Sequence, residues 1–254
     1  MSQTDAFEIL GTIDDPGPFL FTCEHASNRL PVEFDTSASA SDRELLADHW
    51  GWDIGVRDVV RHLIDEIGGQ GVMATFSRLL VDPNRPPDSP SYIVREIDGR
   101  AVDFNREVDD AEIARRTDDY FHSYHQAVER VGERRAALHR PFHLLAIHSF
   151  TPMYLGRARP MEVGVLFDDF DEDAWHLEEA LTLEGFESVL NAPYSGRGPG
   201  ALIYSAQRHG RSLGVKYLEL EIRQDLIDTD DKAREVAHRL GRALDVFRPA
   251  VGGA

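Results

Sequence analysis

Short apolar runs alternate with helix-period segments along most of the chain, a pattern that predicts an α/β fold. Phe19-Leu20-Phe21-Thr22-Cys23 reads as a buried strand entered from a turn at Asp15-Pro16-Gly17-Pro18. A helix is expected from about Ser41 to Ile67, ended by Gly68-Gly69. Val72 to Phe76 reads as a second strand, and Pro83 to Pro90 as a loop continuing irregularly to about Val108. Ile113, Thr117, Tyr120, Tyr124, Val128 and Val131 recur at spacings of three and four, giving one apolar helix face. Further strands are expected at Phe142 to Ile147, Val163 to Phe167, Glu187 to Leu190 and Val215 to Ile222. Ala233, Val236, Ala237, Leu240, Leu244 and Phe247 mark a closing helix, with Asp228 or Thr229 as N-cap. No repeat or low-complexity linker interrupts this spacing, so one domain over residues 1–254 is expected, its long loops carrying the site.

The last of these strands carries charge where a strand core is usually apolar. A side-chain period of two sends Leu218, Leu220 and Ile222 to one face, and Tyr217, Glu219, Glu221 and Arg223 to the other. A solvated edge strand would show this pattern too. On an interior strand, buried carboxylates require partners, and one beside a metal-activated water suits general-base chemistry.

Composition narrows the function classes. The 254 residues hold 27 Lys+Arg against 45 Asp+Glu, a formal charge of −18, which argues against nucleic acid and against anionic membranes. Only Lys216 and Lys232 are lysines, so nearly all the positive charge is arginine. The single Cys23 excludes an internal disulfide and a cysteine-based zinc cluster. No signal-peptide pattern and no run of 18 apolar residues is visible, so a cytoplasmic location is expected.

Chemistry is expected where strands run into polar clusters, because ligands of open α/β sheets sit beyond the carboxyl ends of strands. His25 and His148 each follow such a run, and with carboxylates nearby they suit zinc bound through His and Asp/Glu. His49 and Asp53, four apart in the expected helix, would share a face as metal ligands or as an ordinary helix pair. Arg78, Asn84 and Arg85 offer a cationic, amide-bearing grip for a carboxylate, or a turn held by surface salt bridges. Gly196-Arg197-Gly198-Pro199-Gly200 lacks the Walker lysine and reads as a turn, and His139 reads as exposed.

Six blocks carry a family resemblance: Cys23-Glu24-His25-Ala26-Ser27-Asn28, His49 to Gly55, Ser77 to Arg85, His148 to Pro152, Asn191 to Ser195, and Glu221 to Leu226. In this order they resemble the N-formylglutamate amidohydrolase family, over about residues 20 to 227. The resemblance implies a mixed, twisted sheet with helices on both faces, similar to zinc carboxypeptidases and aspartoacylases. It implies a metal-dependent amidase releasing formate from N-formyl-L-glutamate, a step of histidine breakdown. By position, His25 and His148 look like metal ligands and Glu221 like the general base. Asn84-Arg85 looks like the carboxylate-binding pair, and Arg78 like a group that polarises the scissile carbonyl. Tyr194 and Arg223, inside matched blocks, are expected to contact substrate. The wider superfamily supplies a ligand as His-x-x-Glu, but the third position after His25 is Asn28. Either Asn28 binds the metal weakly or the third ligand comes from elsewhere, with Asp53 the first choice and His49 the second, while Glu24 would point away from His25 on an extended segment. Two other readings share these residues: a deacylase for another N-acyl amino acid or peptide-like amide, and a non-catalytic metal- or ligand-binding relative.

Overall fold

Alternation along the strands sorts the core into two layers. Phe19, Phe21, Cys23, Leu145, Ile147, Leu218, Leu220 and Ile222 belong to one buried cluster. Leu20, Leu144, Ala146 and Tyr217, their sequence neighbours, belong to the other. The computed structural model describes residues 6–15, 17–138, 141–198 and 200–247. Pro16, His139 and Pro199, placed above in turns or at the surface, lie outside the described residues.

One seven-stranded sheet organises the chain. Its strands are β1 (Phe7–Leu10), β2 (Phe19–Cys23), β3 (Gln70–Ala74), β4 (His143–Phe150), β5 (Val163–Leu166), β6 (Ser188–Leu190) and β7 (Tyr217–Arg223). They lie in the order β1-β3-β2-β4-β7-β5-β6. β3, β2, β4 and β7 run parallel, whereas β1 and β5 pair antiparallel with β3 and β7. The principal helices are α1 (Ala40–Ala47), α2 (Val56–Ile67), α3 (Ser123–Ala137), α4 (Asp171–Leu183), α5 (Tyr204–Leu213) and α6 (Asp230–Phe247). α2, α4 and α6 cover the first face, and α3 and α5 the second. The fold is thus α/β, with a mixed sheet between helical layers, as the sequence predicts. β7 is an interior strand, between β4 and β5, so the solvated-edge reading of its carboxylates falls.

The expected continuous helix from Ser41 to Ile67 is instead two helices. A capping box between Ser39 and Asp42 starts α1, and the chain turns extended at Asp48. Gly55 then opens α2 at φ +85°, and a Cβ there would stand 2.0 Å from the Ile227 carbonyl oxygen. His49 and Asp53 therefore share no helix face. The signal was present in Gly51 and Gly55, glycines within the expected helix. β1, α4 and α5 are absent from the sequence reading; α4 opens on the charged run Asp171-Glu172-Asp173, which masks its apolar face.

Beneath the Pro83 to Arg85 loop lies a buried histidine pair. His125 Nε2 is 3.1 Å from the Pro83 carbonyl, and its Nδ1 is 2.7 Å from His209 Nε2. If His125 donates to Pro83, its Nδ1 accepts from His209, and His209 Nδ1 is left without a hydrogen-bond partner, as found. Burial pushes His209 down to about 4 and His125 well below its ordinary value. For His209 the folded-state pKa lies below an unfolded value of 6.5, so its contribution is present above pH 6.5 and is lost as pH falls towards 4. The shift of 6.5 minus 4 corresponds to ~3 kcal/mol. A His209→Gln variant is expected to lose stability less steeply over that window than the parent, measured by urea unfolding at pH 7, 5.5 and 4.

Candidate metal and active site

Strand register sets the first two groups. Glu221 on β7 lies directly beside His148 on the parallel strand β4, so their side chains leave the same face of the sheet. Past the end of β2 the chain turns at Glu24-His25 and continues to Asp53 by a backbone bond, Asp53 N–H donating to the His25 carbonyl at 3.0 Å. Three buried residues meet here: ligand atoms of His25, Asp53 and His148 lie within 4.8 Å of one another. Asp53 Oδ2 is 2.8 Å from His148 Nδ1 and 3.4 Å from His25 Nδ1. Both imidazoles thus aim the same nitrogen at one carboxylate.

Their far nitrogens are fixed by a second pair of carboxylates. His25 Nε2 is 2.8 Å from Asp82 Oδ1, and His148 Nε2 is 3.1 Å from Glu24 Oε2. Each carboxylate is anchored in turn. Arg78 donates to Asp82 Oδ2 at 2.6 Å, while Tyr124 and Ser205 donate to Glu24 Oε1 at 2.9 and 2.6 Å. Burial alone would raise the Glu24 pKa, but the His148 and Ser205 bonds hold it down at about 2. Burial likewise opposes charge on Asp53, Asp82 and His148. The two histidines outweigh it for Asp53, Arg78 and His25 for Asp82, and Glu219, Asp53 and Glu24 for His148.

Sequence reasoning passed over Glu24, because a period-two segment sends neighbours to opposite sides. The turn after Cys23 removes that premise, and Glu24 reaches the same histidine cluster as His25. Asp82, Tyr124, Ser205 and Glu219 carry no local signal of a role at the cluster; between 57 and 181 residues separate each from the His25, Glu24 or His148 group it meets, and only the fold joins them. Glu219 is buried with one oxygen 3.8 Å from His148 Nε2, and burial pushes it up to about 7 against the pull of His148.

A cavity of about 480 Å³ opens over the cluster, lined by Arg78, Asn84, Arg85, Tyr194 and Glu221 among others. Asn84 is held by the Ser205 N–H, and its amide reaches His148 Nε2 at 3.4 Å. Arg85 is positioned by one bond to the Asn84 carbonyl at 2.8 Å. Glu221 has an oxygen that is buried without a partner, and burial, joined by the Asp53 and Glu219 charges, pushes its pKa well above the ordinary range despite His148.

Three of the residues put forward by the sequence stand apart from the His25, Asp53 and His148 cluster. His49 lines the cavity, but its Nδ1 is 2.8 Å from Asp48 and its ring packs on Trp50, outside the three-residue cluster. Asn28 is exposed. Arg223 is committed elsewhere: its Nε pairs with Asp225 and its Nη1 donates to the Pro160 and Met161 carbonyls, away from the cavity lining.

The donor set fits a divalent metal. Two imidazole nitrogens and one carboxylate are ligands zinc accepts, and three protein ligands leave an open position. Each histidine also carries the carboxylate partner that metal-ligating histidines usually have. Replacing Glu24 by Gln is expected to weaken metal affinity about 10–100-fold, measured by competition with a chelating dye, with the fold retained.

A mixed α/β sheet with a polar, histidine- and carboxylate-lined cavity at its strand ends defines a hydrolase-like class of site. The family model of N-formylglutamate amidohydrolase matches residues 17–228, and the chain belongs to that family. It is an amidohydrolase by that membership. Among solved structures, a gene product of Agrobacterium tumefaciens is 30% identical, with a TM-score of 0.86 and 96% of each chain covered. An N-formylglutamate amidohydrolase from Ralstonia eutropha JMP134 is 18% identical, with a TM-score of 0.72, covering 95% of this chain and 97% of its own. No curated protein matches the sequence. Among the described residues, no helix is long and apolar enough to cross a membrane.

Proposed function

We propose that the protein hydrolyses the amide of an N-acyl amino acid, N-formyl-L-glutamate first among them, yielding formate and L-glutamate. The observation that carries the reading is Glu221: a buried carboxyl with an unpartnered oxygen, in register beside His148 and facing the cavity. His25, Asp53 and His148 would hold zinc or another divalent ion, which when bound supplies Lewis acidity, acidifies water and offsets nearby carboxylate charge.

The chain's own residues divide the remaining work. Glu221 takes the proton of the attacking water and returns a proton to the leaving amine. Arg85 and Asn84 bind the substrate's α-carboxylate; an error of 1 Å in that positioning would cost ~10²-fold in rate. Arg78, fixed by Asp82 and partly exposed, presents its remaining donors to the acyl oxygen. Tyr194, half-buried in the cavity lining, offers the substrate a hydroxyl whose pKa is raised by burial and then by the Glu221 charge. Metal analysis of the purified protein, with formate release measured before and after chelation and after zinc return, tests this reading. Absence of metal-dependent turnover across a panel of N-acyl amino acids would overturn it.

A further inference from the structure

A free dicarboxylic amino acid derivative has two anionic ends, and the site as described above accounts for one. Among the cavity-lining arginines, Arg78 is committed to Asp82, which leaves Arg85 for a single carboxylate. A further guanidinium, that of Arg159, does not itself line the cavity but packs directly behind three rings that do. Arg159 is partly buried at the base of the hairpin formed by Met153–Tyr154 and Arg157–Ala158, and its backbone N–H donates to the Pro152 carbonyl at 2.9 Å. Its guanidinium carbon lies 4.6, 5.1 and 5.8 Å from the ring centroids of Tyr154, Tyr194 and Phe150. All three rings line the cavity, as does Thr151.

What holds Arg159 is weak for a guanidinium. Nη1 donates to the Tyr194 hydroxyl at 3.3 Å and to the Thr151 side chain and carbonyl at 3.4 and 3.5 Å. It makes no ion pair with a carboxylate among the described residues, in a chain with 45 acidic groups. Its Nε and Nη2 make no hydrogen bond among the described residues. The Tyr194 hydroxyl it touches also feels the charges of Glu221 and Asp53. A cation caged by aromatic faces and left without an anion is a prepared anion site, since stacking fixes the fork while its donors stay free.

We propose that Arg159 is the specificity-determining residue that binds the distal, side-chain carboxylate of the substrate, while Arg85 takes the α-carboxylate. The inference rests on the reading of the cavity as an N-acyl amino acid site and adds to it the residue that would select a second carboxylate. A lysine could supply the charge but not the planar, two-donor fork.

The test compares N-formyl-L-glutamate with N-formyl-L-glutamine, which differ only in the distal charge, on the zinc-loaded protein and its Arg159→Gln and Arg159→Lys variants. The parent is expected to prefer the acid, and Arg159→Gln to lower the acid-to-amide ratio of kcat/KM by roughly 10–100-fold, mainly through KM. Arg159→Lys is expected to restore part of the ratio. Calorimetric binding of L-glutamate against L-glutamine supplies a readout independent of turnover and should lose its preference in the same variant. An unchanged ratio in Arg159→Gln, or equal losses on both substrates, overturns the assignment. A parent that hydrolyses both without preferring the acid also overturns it, while leaving the amidohydrolase reading intact. Arg159-dependent glutamate binding without any metal-dependent turnover would support this site and overturn the proposed reaction.

Discussion

Glu221→Gln is expected to lower kcat for N-formyl-L-glutamate by about 10²–10⁴-fold while leaving metal content and the unfolding midpoint close to the parent's. The amide is the same size as the carboxyl, and the buried oxygen it replaces has no partner to lose. What disappears is the ability to accept and return a proton. Burial raises the Glu221 pKa, with Asp53 and Glu219 adding to it against His148, so removing the charge relieves a repulsion as well. Metal-free Glu221→Gln should therefore be no less stable than the parent at pH 8. Steady-state kinetics with metal stoichiometry on the same preparation decide the matter, and undiminished turnover would remove Glu221 from the mechanism.

Asp53→Asn is expected to have a larger effect on metal loading than any outer partner, exceeding the roughly 10–100-fold seen when such a partner is lost. Asp53 Oδ2 is the one atom that both imidazole Nδ1 atoms face, at 2.8 and 3.4 Å. In the metal-free protein that carboxylate is the counter-charge of His148, whose pKa is pushed well above its ordinary value although burial opposes it. Metal binding must expel the proton held between them, so loading should release protons and weaken as pH falls. In Asp53→Asn the histidines keep Asp82 and Glu24 but lose the shared charge. Inductively coupled plasma analysis and the proton release on zinc titration check both parts. Parent-like zinc content in the variant would assign the third ligand elsewhere.

Much of this arrangement was legible before the fold was known, for an identifiable reason. Apolar runs such as Phe19-Cys23 and Phe142-Ile147 report burial on two faces, and the alternation in Tyr217-Arg223 places Glu219 and Glu221 together on one side. Those are properties of the local period, which neighbouring strands do not change. The seven-stranded order and the mixture of parallel and antiparallel pairs are long-range, and no local period encodes them.

Local period misleads where the backbone turns inside a segment that reads as regular. A helix drawn through His49 and Asp53 put both on one face, whereas glycines in that segment turn the chain and leave Asp53 alone at the cluster. An extended segment drawn through Glu24 and His25 separated them, whereas the turn brings both to the histidines. Arg223 has the right charge at the right end of β7, yet its donors are taken by Asp225 and two carbonyls.

The α/β class and the face that Glu221 occupies follow from residue type and short-range period, while His25, His148, Asn84 and Arg85 were put forward by the matched blocks. Which carboxylates stand behind each histidine, and which arginines are already paired, comes from the packing of distant segments. Those outcomes depend on distances between segments far apart in the chain, where a hydrogen bond forms or fails within a few tenths of an ångström.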